Sequence, residues 1–154
     1  MKKNIAIIMG GYSSEYKISL TSGNVVYETL DRTKYNPYRI HIFKNKWVYV
    51  DEDNTEFTID KNDFSINVGA FKTKFDCVFN AIHGSPGEDG FMQGYFELLN
   101  IPHTSCSMYQ AGITYNKRDF LSILKPYGVK TAESYYLNHG DSYNEDDIIA
   151  KVGL

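Results

Sequence analysis

Residues 4–23, NIAIIMGGYSSEYKISLTSG, join an apolar run to a helical pattern through two consecutive glycines. Residues 4–9, which contain this run, predict a buried strand that is apolar on both faces, as the strands of parallel sheets are. The next pattern predicts a helix over 15–30, for which Ser13 or Ser14 is a natural N-cap. The apolar side chains that fall near one face of this helix are Ile18, Val25, Val26 and Leu30. A strand, a glycine turn and a helix start commonly bind an anion or a phosphate.

The elements that follow this stretch alternate between strands and helices. Residues 38–43 predict a second strand, so the chain begins with a β-α-β unit whose strands are parallel with a right-handed crossover. Residues 46–58 predict a surface hairpin, and residues 75–80 predict the next core strand. The other predicted elements are a helix over 88–99, a strand over 101–104, helices over 108–115 and 117–124, a strand over 132–137 and a helix over 144–152. This order predicts an α/β fold.

The composition excludes several classes of partner. The chain has 154 residues, of which 42% are hydrophobic and 23% charged, as is typical of a globular protein. Its formal net charge of -3 provides no basic footprint, so we expect no nucleic acid partner. No apolar stretch approaches the roughly 20 residues of a membrane span, so we expect no membrane partner and a cytoplasmic location. Cys77 and Cys106 lie far apart and match no metal-binding or redox spacing.

Two glycine-rich segments are predicted at one edge of the sheet. Residues 10–15 and 83–90 each follow a predicted strand and precede a predicted helix. Both therefore lie at the carboxyl ends of strands, where open α/β sheets bind their ligands. The first segment lacks the G-x-G-x-x-G fingerprint, and neither segment contains the lysine of a P-loop, so a nicotinamide site is disfavoured.

Glu15 and His83 are the candidate functional side chains of these segments. Glu15 would repel a phosphate but suits an ammonium group, so the first segment is a candidate site for the amine of a small zwitterion. The alternative is that Glu15 only stabilises the N-terminus of its own helix. His83 follows a strand and precedes a glycine, so we expect it to be exposed and able to donate to a phosphoryl or acyl oxygen. The alternative for His83 is a hydrogen-bonded structural role.

Three stretches of the chain resemble motifs of one enzyme family. Residues 10–23 are similar to the pattern G-G-x-S-x-E-x-x-V-S-L-x-S, and residues 83–94 to H-G-x-x-G-E-D-G-x-x-Q-G. Residues 101–104 and 115–117 are similar to I/L-P-Y-T and M-D-K, with His103 in place of the usual tyrosine. These are motifs of the D-alanine–D-alanine ligases, the ATP-grasp enzymes of bacterial peptidoglycan synthesis. The resemblance runs through the whole chain in the right order.

The resemblance implies a fold and a domain organisation. Residues 1–116 are expected to form a substrate-binding α/β domain with a parallel, Rossmann-like (pre-ATP-grasp) sheet. Residues 117–154 are expected to begin an ATP-grasp domain, which would be truncated at Leu154. Because family members are expected to be considerably longer, the chain resembles an N-terminal portion that is inactive alone.

The resemblance also implies a reaction. In such ligases the carboxylate of one D-alanine attacks the γ-phosphate of ATP, and the amine of a second D-alanine then displaces phosphate from the acyl phosphate. Carried over by position, Glu15 and His83 are the catalytic residues. Glu15 would hold the ammonium of the first D-alanine, and His83 would bond near its carboxylate. Mg²⁺ is expected as a cofactor beside ATP, with ligands beyond Leu154.

Further positions carry over binding roles from the family. Ile18 and Gly84 would line the substrate site together with Glu15 and His83. Lys117 would contact the ATP phosphates, and Glu88 would brace a lid loop. The resemblance also implies a homodimer.

Two other functions stay open on the residues alone. One is another nucleotide-binding α/β enzyme such as a dehydrogenase, against which the missing G-x-G-x-x-G fingerprint counts. The other is a non-catalytic binding or dimerisation module. The second substrate of a ligase is likewise left open among D-alanine, D-lactate and D-serine.

Overall fold

Seven strands form one sheet in the computed structural model, which describes residues 1–153. The strands are β1 (Lys3–Gly10), β2 (Tyr35–Ile42), β3 (Trp47–Val50), β4 (Glu56–Asp60), β5 (Ser65–Val68), β6 (Phe71–Thr73) and β7 (Cys77–Asn80). Their order across the sheet is β6-β5-β4-β3-β2-β1-β7. β1 pairs in parallel with β2 and β7, whereas the pairings from β2 to β6 are antiparallel. The predicted α/β class and the parallel β1–β2 pair are confirmed, and an antiparallel half extends the sheet.

The helices belong to two compact units, Met1–Tyr115 and the residues from Asn116 onward. The first unit contains α1 (Tyr16–Thr29), α2 (Phe91–Leu98) and α3 (Met108–Tyr115). The second contains α4 (Lys117–Leu124), a 3-10 helix (Lys125–Tyr127) and α5 (Glu145–Val152). The predicted strand over 132–137 is wrong, because these residues form no regular structure. None of the helices within residues 1–153 is long and apolar enough to span a membrane.

The helix α1 packs on the sheet through its smallest residues. Ser19 and Gly23 are its buried residues, whereas Ile18 and Val25 are 57% and 58% exposed. The prediction that Ile18 and Val25 lie on an inner apolar face is therefore wrong. A Cβ atom on Gly23 would lie 2.7 Å from Cε of Met9, so the glycine allows the helix backbone to approach β1 closely.

The antiparallel half of the sheet carries much of the core and is not only a surface hairpin, as the sequence predicted. Val48, Val50 and Ile59 are buried on β3 and β4. Phe64, before β5, is fully buried, with its ring centroid 4.9 Å from that of Phe96 on α2. The sequence prediction also missed β5 and β6. Burial of Phe64 between the sheet and α2 explains why this segment is ordered as part of the domain.

Two predicted elements near the second glycine segment are shorter than expected. The helix predicted over 88–99 begins only at Phe91, because residues 85–90 form turns that end at Gly90 with φ of 98°. The strand predicted over 101–104 reduces to one parallel bridge between His103 and Val78. The second glycine segment is therefore a longer loop than the sequence predicted, and it lies between β7 and α2.

Candidate active site

The first loop, residues 10–15, leaves the carboxyl end of β1 and lies directly against the second. Gly11 has φ of 101°, which favours glycine, and a Cβ atom there would lie 2.8 Å from Cγ2 of Ile82. The backbone N–H of Tyr12 donates to the carbonyl of Ser85 at 2.7 Å. The two predicted loops therefore meet at the same edge of the sheet.

The second loop, residues 83–90, is shaped by side chains that bind its backbone. The side-chain amides of Asn80 and Gln93 both donate to the carbonyl of Gly87, at 2.7 and 2.6 Å. Oε2 of Glu88 accepts a hydrogen bond from the N–H of Gly84 at 2.8 Å. Gln93 is 2% exposed, so the loop is fixed from the protein interior.

Three serines of the first motif connect the two loops. Ser13 Oγ donates to the carbonyl of His83 at 2.9 Å, and Ser19 Oγ donates to the carbonyl of Ala81 at 2.7 Å. Ser22 Oγ lies 3.4 Å from Nε2 of the His83 ring. The sequence indicated Ser13 only as a possible helix cap and indicated no role for the other two. One signal was available: Ser19 and Ser22 are three residues apart, a spacing that places both on one helix face.

Glu15 presents an exposed carboxylate beside the second loop. Gly84 has φ of 72°, which favours glycine, and a Cβ atom there would lie 3.7 Å from Oε2 of Glu15 and 3.0 Å from Cβ of Ser13. Glu15 is the N-cap residue of α1, but its side chain makes no capping hydrogen bond. Within residues 1–153 its carboxylate has no ion-pair partner either. The carboxylate is therefore available to a cation.

His83 is partly buried, which corrects the prediction that it is exposed. Its backbone carbonyl accepts from Ser13, and its Nε2 faces the hydroxyl of Ser22. The described residues provide no partner for Nδ1. One ring nitrogen thus remains for a ligand.

The remaining predicted site residues divide between the two units. Ile18 is exposed one helical turn after Glu15, on the same side of α1. Glu88 is exposed, with one carboxylate oxygen bound to Gly84. Lys117 is exposed at the start of α4 in the second unit, where the preceding Asn116 caps the helix. The structure therefore brings Glu15 and Glu88 together at Gly84, which follows His83, and places Ile18 one turn along α1 from Glu15.

The charges around the loops suit a small zwitterion better than a bare anion. An unpaired carboxylate can bind an ammonium group, and a nearby imidazole can donate to a carboxylate. Among residues 1–153, no group of three or more His, Cys, Asp or Glu side chains could hold a metal ion. We therefore assign no metal ligand to the described part of the chain.

The chain is similar to known proteins of one family. Residues 4–106 match the family model described as D-ala D-ala ligase N-terminus. The chain is 70% identical over 152 residues to the D-alanine–D-alanine ligase of Flavobacterium johnsoniae. The matched residues cover 99% of this chain and 47% of that protein. The chain thus spans about half the length of the curated relatives that it matches.

Solved structures show the same fold. The D-alanine–D-alanine ligase of Coxiella burnetii matches with a TM-score of 0.78 and 26% identity, covering 92% of this chain and 46% of that chain. The ligase of Bacillus anthracis complexed with ATP matches with a TM-score of 0.69 and 29% identity, covering 96% of this chain and 45% of that chain.

Proposed function

The chain belongs to the D-alanine–D-alanine ligase family, and from this premise we propose that the whole protein joins two D-alanines in an ATP-dependent reaction of peptidoglycan synthesis. The observation that carries the proposal is the unpaired carboxylate of Glu15, which lies beside Gly84 of the second loop. Both residues belong to the motifs that the family shares, and a carboxylate at this place suits the amine of an amino acid.

The proposed reaction has two steps. A carboxylate oxygen of the first D-alanine attacks the γ-phosphorus of ATP, and ADP leaves with the electrons of the broken P–O bond. The neutral amine of the second D-alanine then attacks the carbonyl carbon of the acyl phosphate. Inorganic phosphate leaves, and the amine loses a proton to give the new amide bond. The first step attaches phosphate to the carboxylate as a leaving group, and the second step displaces that phosphate.

Glu15 binds the ammonium of the first D-alanine in this proposal. A charge-assisted hydrogen bond is shorter and stronger than a neutral one, so a single carboxylate can orient a small substrate. Ile18, exposed one turn later on α1, contacts the same substrate. This arrangement turns the carboxylate of the D-alanine toward the second loop.

His83 and Gly84 act on the other end of that substrate. His83 donates to an oxygen of the reacting carboxylate, where negative charge redistributes as the acyl phosphate forms and breaks. Gly84 keeps the second loop close to Ser13 and Glu15 at the substrate site, because a Cβ atom there would meet Ser13 at 3.0 Å. The side-chain amides of Asn80 and of the buried Gln93 hold the loop in place during the reaction.

ATP and Mg²⁺ complete the proposed reaction. The Bacillus anthracis relative is complexed with ATP, which supports ATP as the second ligand. Lys117 contacts its phosphates, and Glu88 braces a lid loop through the carboxylate oxygen that Gly84 leaves free. Mg²⁺ would offset the phosphate charge. Residues 1–153 contain no cluster of His, Cys, Asp or Glu side chains that fits the ion, so we assign none of them as its ligand.

We also propose a domain organisation, an oligomeric state and a location for the whole protein. Residues 1–116 form the substrate-binding domain, and residues 117–154 begin the ATP-grasp domain. The enzyme acts as a homodimer in the cytoplasm, where ATP is available. The unit boundary after Tyr115 supports this division.

A chimera tests the proposed function. The homologous first half of the Flavobacterium johnsoniae ligase is replaced by this chain, to which it is 70% identical. We expect equal amounts of D-alanyl-D-alanine and phosphate from ATP and D-alanine, and no dipeptide when L-alanine is supplied. A folded chimera that forms no dipeptide, while the parent enzyme does, would contradict the proposal.

A further inference from the structure

The hydroxyl of Ser22 is placed to control the proton on the His83 ring. We infer that Ser22 is a positioning residue, which donates to Nε2 of His83 and thereby holds the ring proton on Nδ1. The inference rests on the proposed function, because Nδ1–H is then the donor that meets the substrate oxygen. Ser22 itself touches neither substrate nor cofactor; it acts through the histidine.

The other hydroxyls of α1 show that Ser22 is unusual among them. Thr21 and Thr29 donate to carbonyls of their own helix four residues earlier, at 3.1 and 2.8 Å. Serine and threonine hydroxyls within a helix commonly bond in this way. Ser19 instead reaches across to Ala81, just after β7, and Ser22 reaches His83, the first residue of the second loop. Ser22 makes no bond to its own helix, so its hydroxyl is committed to His83.

The close packing of α1 makes this contact possible. Gly23 lets the helix backbone approach Met9, and Ser19 is fully buried between the helix and the strand ends. The helix is therefore held near the sheet on both sides of Ser22. Ser13 holds the backbone of His83 at the same time, through its carbonyl. Two serines therefore hold His83: Ser13 binds its backbone carbonyl, and Ser22 contacts its ring.

The chemistry of the ring decides which nitrogen can serve the reaction. A neutral imidazole carries one N–H, and the nitrogen without a proton is an acceptor. An unconstrained imidazole in water favours the proton on Nε2. A hydroxyl that donates to Nε2 reverses this preference and leaves Nδ1–H as the donor. The distance of 3.4 Å is long for such a bond, and catalytic bonds often shorten when the ligand binds.

The tautomer of His83 can be read directly in the chain by long-range ¹H–¹⁵N correlation spectra at about pH 9, where an ordinary histidine is neutral. We expect Nδ1 to carry the proton in the unmodified chain. In Ser22→Ala the ratio of the two tautomers should move toward Nε2–H by about 2- to 10-fold, the range that one neutral hydrogen bond supports. Ser22→Thr keeps a hydroxyl and should restore the Nδ1–H form. Thr21→Ala, which removes a hydroxyl bonded only to its own helix, should change nothing.

The same variants in the whole ligase connect the tautomer to the reaction. Ser22→Ala should lower kcat by about 2- to 10-fold with a smaller change in KM for D-alanine, and Ser22→Thr should restore kcat. Because the spectra do not depend on turnover, they test the inference even if the proposed ligation fails. An Nε2–H ring in the unmodified chain would overturn the inference, as would an unchanged tautomer or an unchanged kcat in Ser22→Ala.

Discussion

The loop end of the parallel strands and the hairpins of β3–β6 are stabilised in different ways. At the loop end, Ser19 and Gln93 are buried and donate to backbone carbonyls through neutral side chains. In the hairpins, charged groups pair at the surface, as Lys72 does with Asp63 at 2.8 Å. The buried part of the hairpins is apolar and includes Phe64, whose ring packs on Phe75, Tyr95 and Phe96.

This difference indicates that the loop-end bonds set the geometry of the site, whereas the hairpins contribute stability to the fold. The side chains that bind the backbone of the two loops, all neutral except Glu88, pair no cation with Glu15, so its carboxylate stays available to a substrate. Exposed ion pairs fix little, since each contributes only about 0–1 kcal/mol. The hairpins need to bury apolar area but do not need to hold any one atom in place. We therefore expect loop-end changes to alter catalysis and hairpin changes to alter stability.

The largest effect is expected in the hairpins. Phe64→Ala removes a fully buried ring that packs on Phe96 and Phe75, and should lower the free energy of unfolding by about 3–5 kcal/mol. Urea unfolding of the chain measures this. Turnover per folded ligase molecule should stay near normal. The matched control Phe71→Ala, at a ring that is 78% exposed, should change stability by less than about 0.5 kcal/mol. Equal losses in both variants would break the comparison.

The next effect is expected on the reaction. His83→Ala should slow ligation by about 10²–10³-fold, because one donor to developing oxyanion charge is lost. Stability should change little, since the ring is only partly buried and has a single polar contact among residues 1–153. Paired thermal melts and steady-state rates of His83→Ala distinguish a catalytic role of His83 from a structural one. A large drop in Tm with near-normal turnover per folded molecule would return His83 to a structural role.

Ser19→Ala tests whether the loop end depends on neutral bonds. The variant leaves the N–H of Gly10 and the carbonyl of Ala81 without their hydroxyl partner, so the free energy of unfolding should fall by about 1–3 kcal/mol. Turnover should fall as well, because this hydroxyl ties the ends of β1 and β7 together. The control Thr29→Ala removes a hydroxyl bonded to its own helix. If both variants behave alike in melts and assays, Ser19 is not a connector of the loops.

The smallest effect concerns the hairpin charges. Hydrogen bonds from Lys72 and then Ser65 lower the pKa of Asp63 from 3.8 to about 2. A lowered folded-state pKa stabilises the fold above the ordinary pKa and loses that contribution as pH falls toward about 2. Asp63→Asn should therefore reduce stability slightly at neutral pH, with the difference from the unmodified chain shrinking between about pH 4 and about pH 2. Urea unfolding at several pH values measures it; a difference that grows on acidification would contradict the assignment.

The parallel half of the fold was predictable because its signals are local. The apolar run of β1 and the glycines after it indicated a buried strand and a loop at the carboxyl edge. In β5 the two buried residues, Ser65 and Ile66, are consecutive and are followed by two exposed ones, so no period of two marks the strand. The inner face of α1 was missed because Ser19 and Gly23 carry no hydrophobic signal.

The candidate site was only partly predictable for a related reason. The placement of Glu15 and His83 at one edge follows from the rule for parallel strands. The bonds from Ser13, Ser19 and Ser22 join residues that are 61 to 70 positions apart, so the local pattern places Ser19 and Ser22 on one helix face but does not reveal their partners. Sequence reasoning therefore found the charged groups and missed the neutral ones that hold them.

The central claim is that the unpaired carboxylate of Glu15 binds the ammonium of the first D-alanine. The direct measurement compares KM for the first D-alanine in the whole ligase with that in Glu15→Gln, which keeps the shape and removes the charge. A charged hydrogen bond of about 1.5–3 kcal/mol predicts a rise of roughly ten- to a hundredfold. Glu28→Gln, the same change at an exposed position of α1, should leave KM unaltered. An unchanged KM and rate in Glu15→Gln would contradict the account and leave Glu15 with only a role at its helix N-terminus.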